Sequence, residues 1–384
     1  MDKVRLHLCG PGCDSQCDRK QQAAQAVARR DRSFPVVDTH CHVLVPAVEK
    51  LVAGHPLKIA EDQANLKVSG DASVQFNREQ MLPTVVPRLL DPEVRIADMD
   101  AMGVDIQLLS PAPSQYYYWA DEDLAARIVA VQNDAIQQLC LQYPQRFVGL
   151  AAIALQHPQL AVAQLEHAVL ELGLKGVEIS THVGNLELGD ERLQPFWARA
   201  EALGALVFIH PFGSQVGERL ASWYLSNLVG QPLETTLALS QLMFSGTLDR
   251  YPQLRILAAH GGGYLPFYCG RSDHAAKVRP EVQGARLLPS QYLRNLWFDS
   301  LVFSPQAVRQ LIDQVGIGQV VLGTDYPFDM GAYDLHWLVE QVPGLDASQR
   351  QQLLSGNALQ LLGLDAEAFL PALAADPLNP QEES

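Results

Sequence analysis

The stretch VVDTHCHVLVP, Val36 to Pro46, sets an aspartate and two histidines one residue apart into a run otherwise suited to a buried strand. Successive side chains of a strand point to opposite faces, so His40 and His42 share one face and Cys41 takes the other. Two such imidazoles are either a polar strand end or half of a metal site. The rest of the chain decides between these.

The same kind of run recurs. Apolar, β-branched segments at 34–40, 104–110, 147–154, 176–181, 205–211, 254–260, 296–301 and 319–327 alternate with helical patterns such as DLAARIVAVQNDAIQQLCLQYP. Eight βα units with right-handed crossovers close most simply into a barrel. The predicted fold is therefore α/β, a (β/α)8 TIM-type barrel with a small insertion after strand 1. An open doubly wound sheet is the rival, but no G-x-G-x-x-G follows the first strand. The glycine run at 261–263 follows a late strand and raises a phosphate cradle as an alternative. About 43–91 the pattern breaks, with Pro56, Gly70, Pro83 and Pro87, which predicts an insertion over the barrel mouth. Residues 1–32 read as a flexible N-terminal extension, 33–365 as the barrel, and 366–384 as an acidic tail.

Composition narrows the function. With 48% hydrophobic and 18% charged residues the chain can bury a large core, and a net charge of −15 without a Lys/Arg run argues against a nucleic-acid partner. No apolar stretch is long enough for a membrane span and no signal-peptide pattern opens the sequence, so the expected location is cytoplasmic. Six scattered cysteines suit reduced thiols. Cys9, Cys13 and Cys17 could wrap a soft ion, but their spacing is uncommon for zinc and no fourth ligand is evident.

Barrels of this kind do chemistry at the C-terminal ends of their strands. Those ends carry His40 and His42 (first), Thr181 and His182 (fourth), His210 (fifth), His260 (sixth) and Asp325 (eighth). Three imidazoles from His40, His42 and His210 with the Asp325 carboxylate would make a site for one divalent ion such as Zn(II), Mn(II) or Fe(II). His260 then remains as a general acid or base. Asp38 either orients a ligand or bonds within the barrel. His55, His157, His167, His274 and His336 fall in loops or helices and suit capping or surface roles.

With DTHCH, DPEVRIADMDAMGVDIQLLS, GVEISTHVG, FIHPFG, AAHGGGYLPFYCGR, VVLGTDYPF and SGNALQLLGL in view, the chain from about Val36 to Leu364 resembles the amidohydrolase superfamily. Within it, the resemblance is to the metal-dependent decarboxylases typified by 2-amino-3-carboxymuconate-6-semialdehyde decarboxylase. It implies His40, His42, His210 and Asp325 as metal ligands; by ligand type zinc is the first choice and manganese the second. It also implies His260 as acid/base beside a metal-bound water, and a small carboxylate substrate. Arg271 matches an arginine that reaches the site of a neighbouring subunit, which implies a homodimer, and Trp223 matches an aromatic residue lining the pocket. Lys175 precedes the fourth strand and cannot bridge a second metal there, so the implied centre is mononuclear. Two departures bear on substrate. HPFG stands where the typifying enzymes have HPWD, and their arginines before the DPEVR segment are out of register here, leaving Arg78 or Arg88 as substitutes. The implied reaction is non-oxidative decarboxylation of an aromatic or muconate-type acid. The alternatives are a hydrolase or hydratase on the same barrel, and a non-catalytic binding protein, against which the intact ligand set argues.

Overall fold

The computed structural model describes residues 34–282 and 284–369. The eight strand runs of the sequence form eight parallel strands: β1 (Val37–Val43), β2 (Ile106–Pro111), β3 (Phe147–Gly149), β4 (Gly176–Ile179), β5 (Leu206–Ile209), β6 (Arg255–Ala258), β7 (Trp297–Asp299) and β8 (Val320–Val321). They pair as β1-β2-β3 and as β8-β7-β6-β5-β4. Single parallel bridges, Ala151 to Val177 and Cys41 to Tyr326, join the two sheets at both seams. The backbone bonds Glu178 N to Ala151 O (2.9 Å) and His42 N to Tyr326 O (2.8 Å) support these seams, so the order around the ring follows the sequence. This is the barrel that the alternation predicts.

Residue alternation divides the core. Leu206 and Phe208 belong to the interior cluster, while Val207 and Ile209 face the outer helices. On β1, Val37 lies in the interior cluster but Cys41 lies in the outer one. Strict alternation would put them on the same face. A register shift between Asp38 and Cys41 resolves this, since one irregular step exchanges the faces beyond it and leaves His40 and His42 inward.

The segment after β1 is helical: Pro46–Val52, Pro56–Ser69, Asp71–Phe76 and Leu82–Leu90, with a π-turn at Asn77–Met81. Pro46 and Pro56 each open a helix, where a missing N–H costs nothing. Gly70 (φ 77°) anchors this insertion over the barrel, because a Cβ there would lie 1.8 Å from the Ala221 carbonyl oxygen.

Residues 366–369 belong to the barrel unit: Ala366–Ala368 form a 3-10 turn, and Phe369 is buried with Val37, Ile106 and Leu362 in the interior cluster. The N-terminal extension 1–32 with its three cysteines, and the tail beyond Phe369, lie outside the described residues. Among the described residues no helix is long and apolar enough to cross a membrane.

Candidate functional site

β1 supplies His40 and His42, the residue after β5 is His210, and the loop after β8 carries Asp325. Each offers a ligand atom, these atoms all lie within 4.8 Å of one another, and all four residues are buried. Asp325 Oδ1 is 3.4 Å from Nε2 of both His40 and His42. The His210 ring stands edge-on to those of His40 and His42, at centroid distances of 4.9 and 4.7 Å. Nε2 of His40, Nε2 of His42 and both ring nitrogens of His210 are buried without a hydrogen-bond partner. Buried polar atoms are rarely left so, and four orphaned nitrogens beside a carboxylate fit one divalent ion held by nitrogen and oxygen. The set that the strand ends predict is thus brought together.

The charges around the centre follow from its burial. Burial and the neighbouring His42, His40 and His260 hold His210 well below the usual imidazole range, so it is neutral and free to donate a lone pair. Burial works against ionisation of Asp325, but the facing histidines prevail and hold its carboxyl well below the usual range. His40 is drawn down by burial yet pushed up overall to about 10 by Asp325 and Asp299. In the metal-free centre a proton therefore sits where an ion would bind.

Surrounding groups fix each ligand. Asp299, the last residue of β7, accepts from His40 Nδ1 at 2.7 Å, which directs Nε2 toward the centre. Its two oxygens also accept the backbone N–H groups of His260 (2.9 Å), Gly261 (2.8 Å) and Leu301 (3.0 Å). His42 Nδ1 faces the Pro111 carbonyl at 3.2 Å and Glu178 Oε2 at 3.6 Å. Glu178, on β4, is pushed up by burial and accepts the Tyr116 hydroxyl at 2.5 Å. Arg95 of the DPEVR segment is buried, donates to the His42 carbonyl and to Gln107, and lies over the Tyr326 ring. Asp38 bonds Thr324 and Gln107 within the barrel and also accepts the His40 backbone N–H at 3.1 Å, so it holds the backbone of a ligand while touching no imidazole nitrogen.

His260 stands on the open side. Its Nε2 is 3.9 Å from Asp325 Oδ2, and its Nδ1 is buried without a partner. It and Asp325 both adopt left-handed backbone, at φ 55° and 57°, a conformation that non-glycine residues hold only where surroundings enforce it. The glycines that follow allow this turn. A Cβ on Gly261 would lie 2.4 Å from Val302, and one on Gly263 2.1 Å from the Pro232 carbonyl oxygen. With the Gly261 N–H already committed to Asp299, the run serves close packing, and the phosphate-cradle alternative is set aside.

A cavity of about 390 Å³ opens beside His260 and Asp325, walled by Leu228, Phe267, Leu301 and Phe303. A second space of about 570 Å³ lies between the insertion and the loop after β5, with Phe76, Trp223, Tyr224 and Met330 on its walls. Trp223 thus lines an outer vestibule and is 86% exposed; the hydroxyl of its neighbour Tyr224 is pushed up by burial and then by the charges of Asp329 and Asp325. Arg271 is exposed on the helix Leu265–Val278 and lines neither space. Arg88 is tied to Asp98 at 2.8 Å and to the Thr84 carbonyl, while the Arg78 side chain is 76% exposed beside Glu79. Neither substitutes for an arginine in the cavity.

Other readings sort themselves by contact. Cys41 donates Sγ–H to the Leu108 carbonyl, and burial pushes its thiol well up, so it is no ligand. His182 bonds the Gly184 carbonyl outside the centre. His55 caps a helix and His157 bonds the Ala120 carbonyl. Asp299 and Glu178 are not picked out by the sequence reading, whereas Tyr116 belongs to the tyrosine-rich SQYYYWADED after the second strand, a stretch that reads either as a pocket wall or as packing over the barrel rim. Asp299 lies inside the run LWFDSL, and only the observed end of β7 at that residue makes it a strand-end group; Glu178 sits within a strand, and nothing local distinguishes it.

The Amidohydrolase family model matches residues 37–364. The chain belongs to the amidohydrolase family. Among curated amidohydrolase-like relatives, the 2-amino-3-carboxymuconate-6-semialdehyde decarboxylase of Dictyostelium discoideum is 38% identical over 282 residues, covering 73% of this chain and 79% of the relative. The gamma-resorcylate decarboxylase of a Polaromonas strain is 27% identical over 76% of this chain and 94% of its own length. The crystal structure of 5-carboxyvanillate decarboxylase from Sphingomonas paucimobilis superposes with a TM-score of 0.72 at 25% identity, over 87% of this chain and all of that one. A dihydroxybenzoic acid decarboxylase from Polaromonas, solved with bound manganese, shares the fold with a TM-score of 0.71 at 24% identity, over 86% of this chain and 97% of that one.

Proposed function

We propose that this amidohydrolase-family chain is a metal-dependent, non-oxidative decarboxylase, a carbon–carbon lyase acting on a small aromatic or muconate-type carboxylic acid. The observation that carries this reading is a three-histidine, one-aspartate centre with a further histidine, His260, facing an apolar cavity from beside the aspartate. The named decarboxylases among its relatives support it.

His40, His42, His210 and Asp325 would hold one divalent ion, zinc first by donor type and manganese second. When bound, the ion supplies Lewis acidity at neutral pH. His260 acts as the acid/base: as the bond to the carboxylate breaks, its electron pair stays on carbon, that carbon takes a proton delivered by His260, and CO2 leaves. The apolar walls of Leu228, Phe267, Leu301 and Phe303 favour this step, because a charged carboxylate becomes a neutral molecule. Asp299 keeps His260 in place through its backbone N–H.

Arg271 of a second copy would meet the substrate carboxylate in a homodimer. Tyr264, Tyr268 and Arg271 share one helix face at spacings of four and three residues; both tyrosines are exposed, and Tyr264 lines the cavity with the exposed Leu228 and Phe303. Exposed apolar side chains of this kind suit burial against another copy. We place the enzyme in the cytoplasm.

The test is release of labelled CO2 from carboxyl-labelled aromatic and muconate acids by the metal-loaded protein. Expected is CO2 release from at least one acid. Opening of a lactone or amide with no CO2 from any acid would replace this reading with a hydrolase.

A further inference from the structure

We propose that a further cavity at the strand-end face of the barrel binds a small organic ammonium ion, an amine carried on a ring or a short apolar chain. The cavity has a volume of about 400 Å³ and lies between the helix Pro56–Ser69 and the loops after β2, β4 and β5. It shares no lining residue with the cavity at His260 or with the vestibule. An occupant there would need neither the metal centre nor His260.

The polar groups of its wall are acceptors without a cation. Among the described residues no lysine or arginine lines it, and its one carboxylate is Glu61. Glu61 accepts the Trp119 Nε1–H at 3.0 Å, yet burial pushes its carboxyl up against that bond and against the charge of Lys58. Lys58 is itself tied to Asp62 at 2.5 Å. A half-buried carboxylate so placed gains from an ammonium beside it. His182 is the second acceptor. Its Nδ1 meets the Gly184 carbonyl at 3.1 Å, and a carbonyl only accepts, so Nδ1 carries the hydrogen of the neutral ring. Nε2 is then a lone pair, buried without a hydrogen-bond partner, and Glu234 Oε2 at 3.9 Å is beyond reach. An N–H of the ligand satisfies it, which a carboxylate cannot do. The chain's net charge of −15 adds a long-range attraction of the same sign.

Aromatic rings make up much of the rest, and SQYYYWADED supplies three of them, Tyr116, Tyr118 and Trp119. Tyr116 and Tyr118 stack at 5.5 Å with 8° between their planes, and Phe212 stands edge-on to Tyr116 at 6.2 Å. The Tyr116 hydroxyl is spent on Glu178 and the Tyr118 oxygen accepts the Ser180 N–H, which leaves their rings to the cavity. Aromatic rings attract a cation through their quadrupole and pack against the apolar body that carries it. Gly213 keeps the space open, since a Cβ there would meet only Asn65 Oδ1, at 3.8 Å. The volume falls within the range of small-ligand sites.

The experiment uses the full-length, metal-loaded protein and calorimetric binding of two probes at neutral pH, benzylammonium and benzyl alcohol. They match in size and each carries a ring and a hydrogen-bond donor, so their ratio isolates charge. Expected is binding of benzylammonium at least about tenfold tighter than that of the alcohol. A smaller ratio, or no binding of benzylammonium, overturns the proposal. Glu61→Gln keeps an acceptor for Trp119 and removes the charge, so it should weaken benzylammonium at least about fivefold and change the alcohol by less than about twofold. A folded Glu61→Gln protein that binds benzylammonium as the parent does, or that loses both probes alike, overturns it. Asn65→Trp fills the cavity from the same helix and should abolish benzylammonium binding. Retained binding in that variant overturns the proposal, because the ion would then sit at the metal centre or on the acidic surface.

Discussion

Asp299 lets the coupling between metal and acid/base be tested with one substitution. Its Oδ2 accepts both from His40 Nδ1 at 2.7 Å and from the His260 backbone at 2.9 Å, while Oδ1 accepts from Gly261 and Leu301. In Asp299→Asn one of the two oxygens becomes an NH2, which cannot accept. Whichever way the amide turns, two buried N–H donors face a donor. At about 1–3 kcal/mol for each buried group left unsatisfied, the fold loses about 2–6 kcal/mol. The charge behind His40 also disappears, and loss of such a partner typically weakens metal binding by about 10–100-fold. That is about 1.4–2.8 kcal/mol. The expected result is a lower thermal midpoint together with weakened metal affinity, measured by chelator competition on folded protein. A folded Asp299→Asn protein with unaltered metal affinity would refute the reasoning, because Asp299 would then not orient His40.

Substitution at the centre itself should separate two functions. Asp325→Ala and His210→Ala should each abolish bound metal by elemental analysis, whereas His260→Ala should retain the metal and lose activity; full metal content in Asp325→Ala would count against the ligand assignment. Metal uptake should also depend on pH. His40 is pushed up from 6.5 to about 10 in the metal-free centre, so below that pH an entering ion must displace a proton, and affinity should fall roughly tenfold for each pH unit. A flat affinity between pH 6 and 8 would contradict this. The same shift has a sign for stability: the folded value lies above the unfolded one, so the contribution of His40 to the metal-free fold is complete below about 6.5 and is lost as pH rises through about 10. Thermal unfolding of the metal-free protein across that window checks it.

The sequence by itself determined the barrel and most of its centre. Eight apolar runs alternating with helical patterns leave few topologies, and the rule that chemistry gathers at strand ends selects His40, His42, His210, His260 and Asp325 from the polar residues available. Period-two alternation also separated Cys41 from its neighbours, and the contact of its thiol with Leu108 agrees. Other features needed the tertiary structure, because they arise from residues far apart in the chain. The register shift on β1 depends on pairing with β2, and the seam to Tyr326 joins the two ends of the barrel. Asp299 lies 259 residues from His40, and only closure of the barrel brings its carboxylate against that imidazole. The fate of Arg88 is a shorter-range case, decided by how the next helix sets Asp98 against it. Residue type and local period specify which groups are available, but burial and pairing across the ring decide which of them meet a metal, a proton or a substrate.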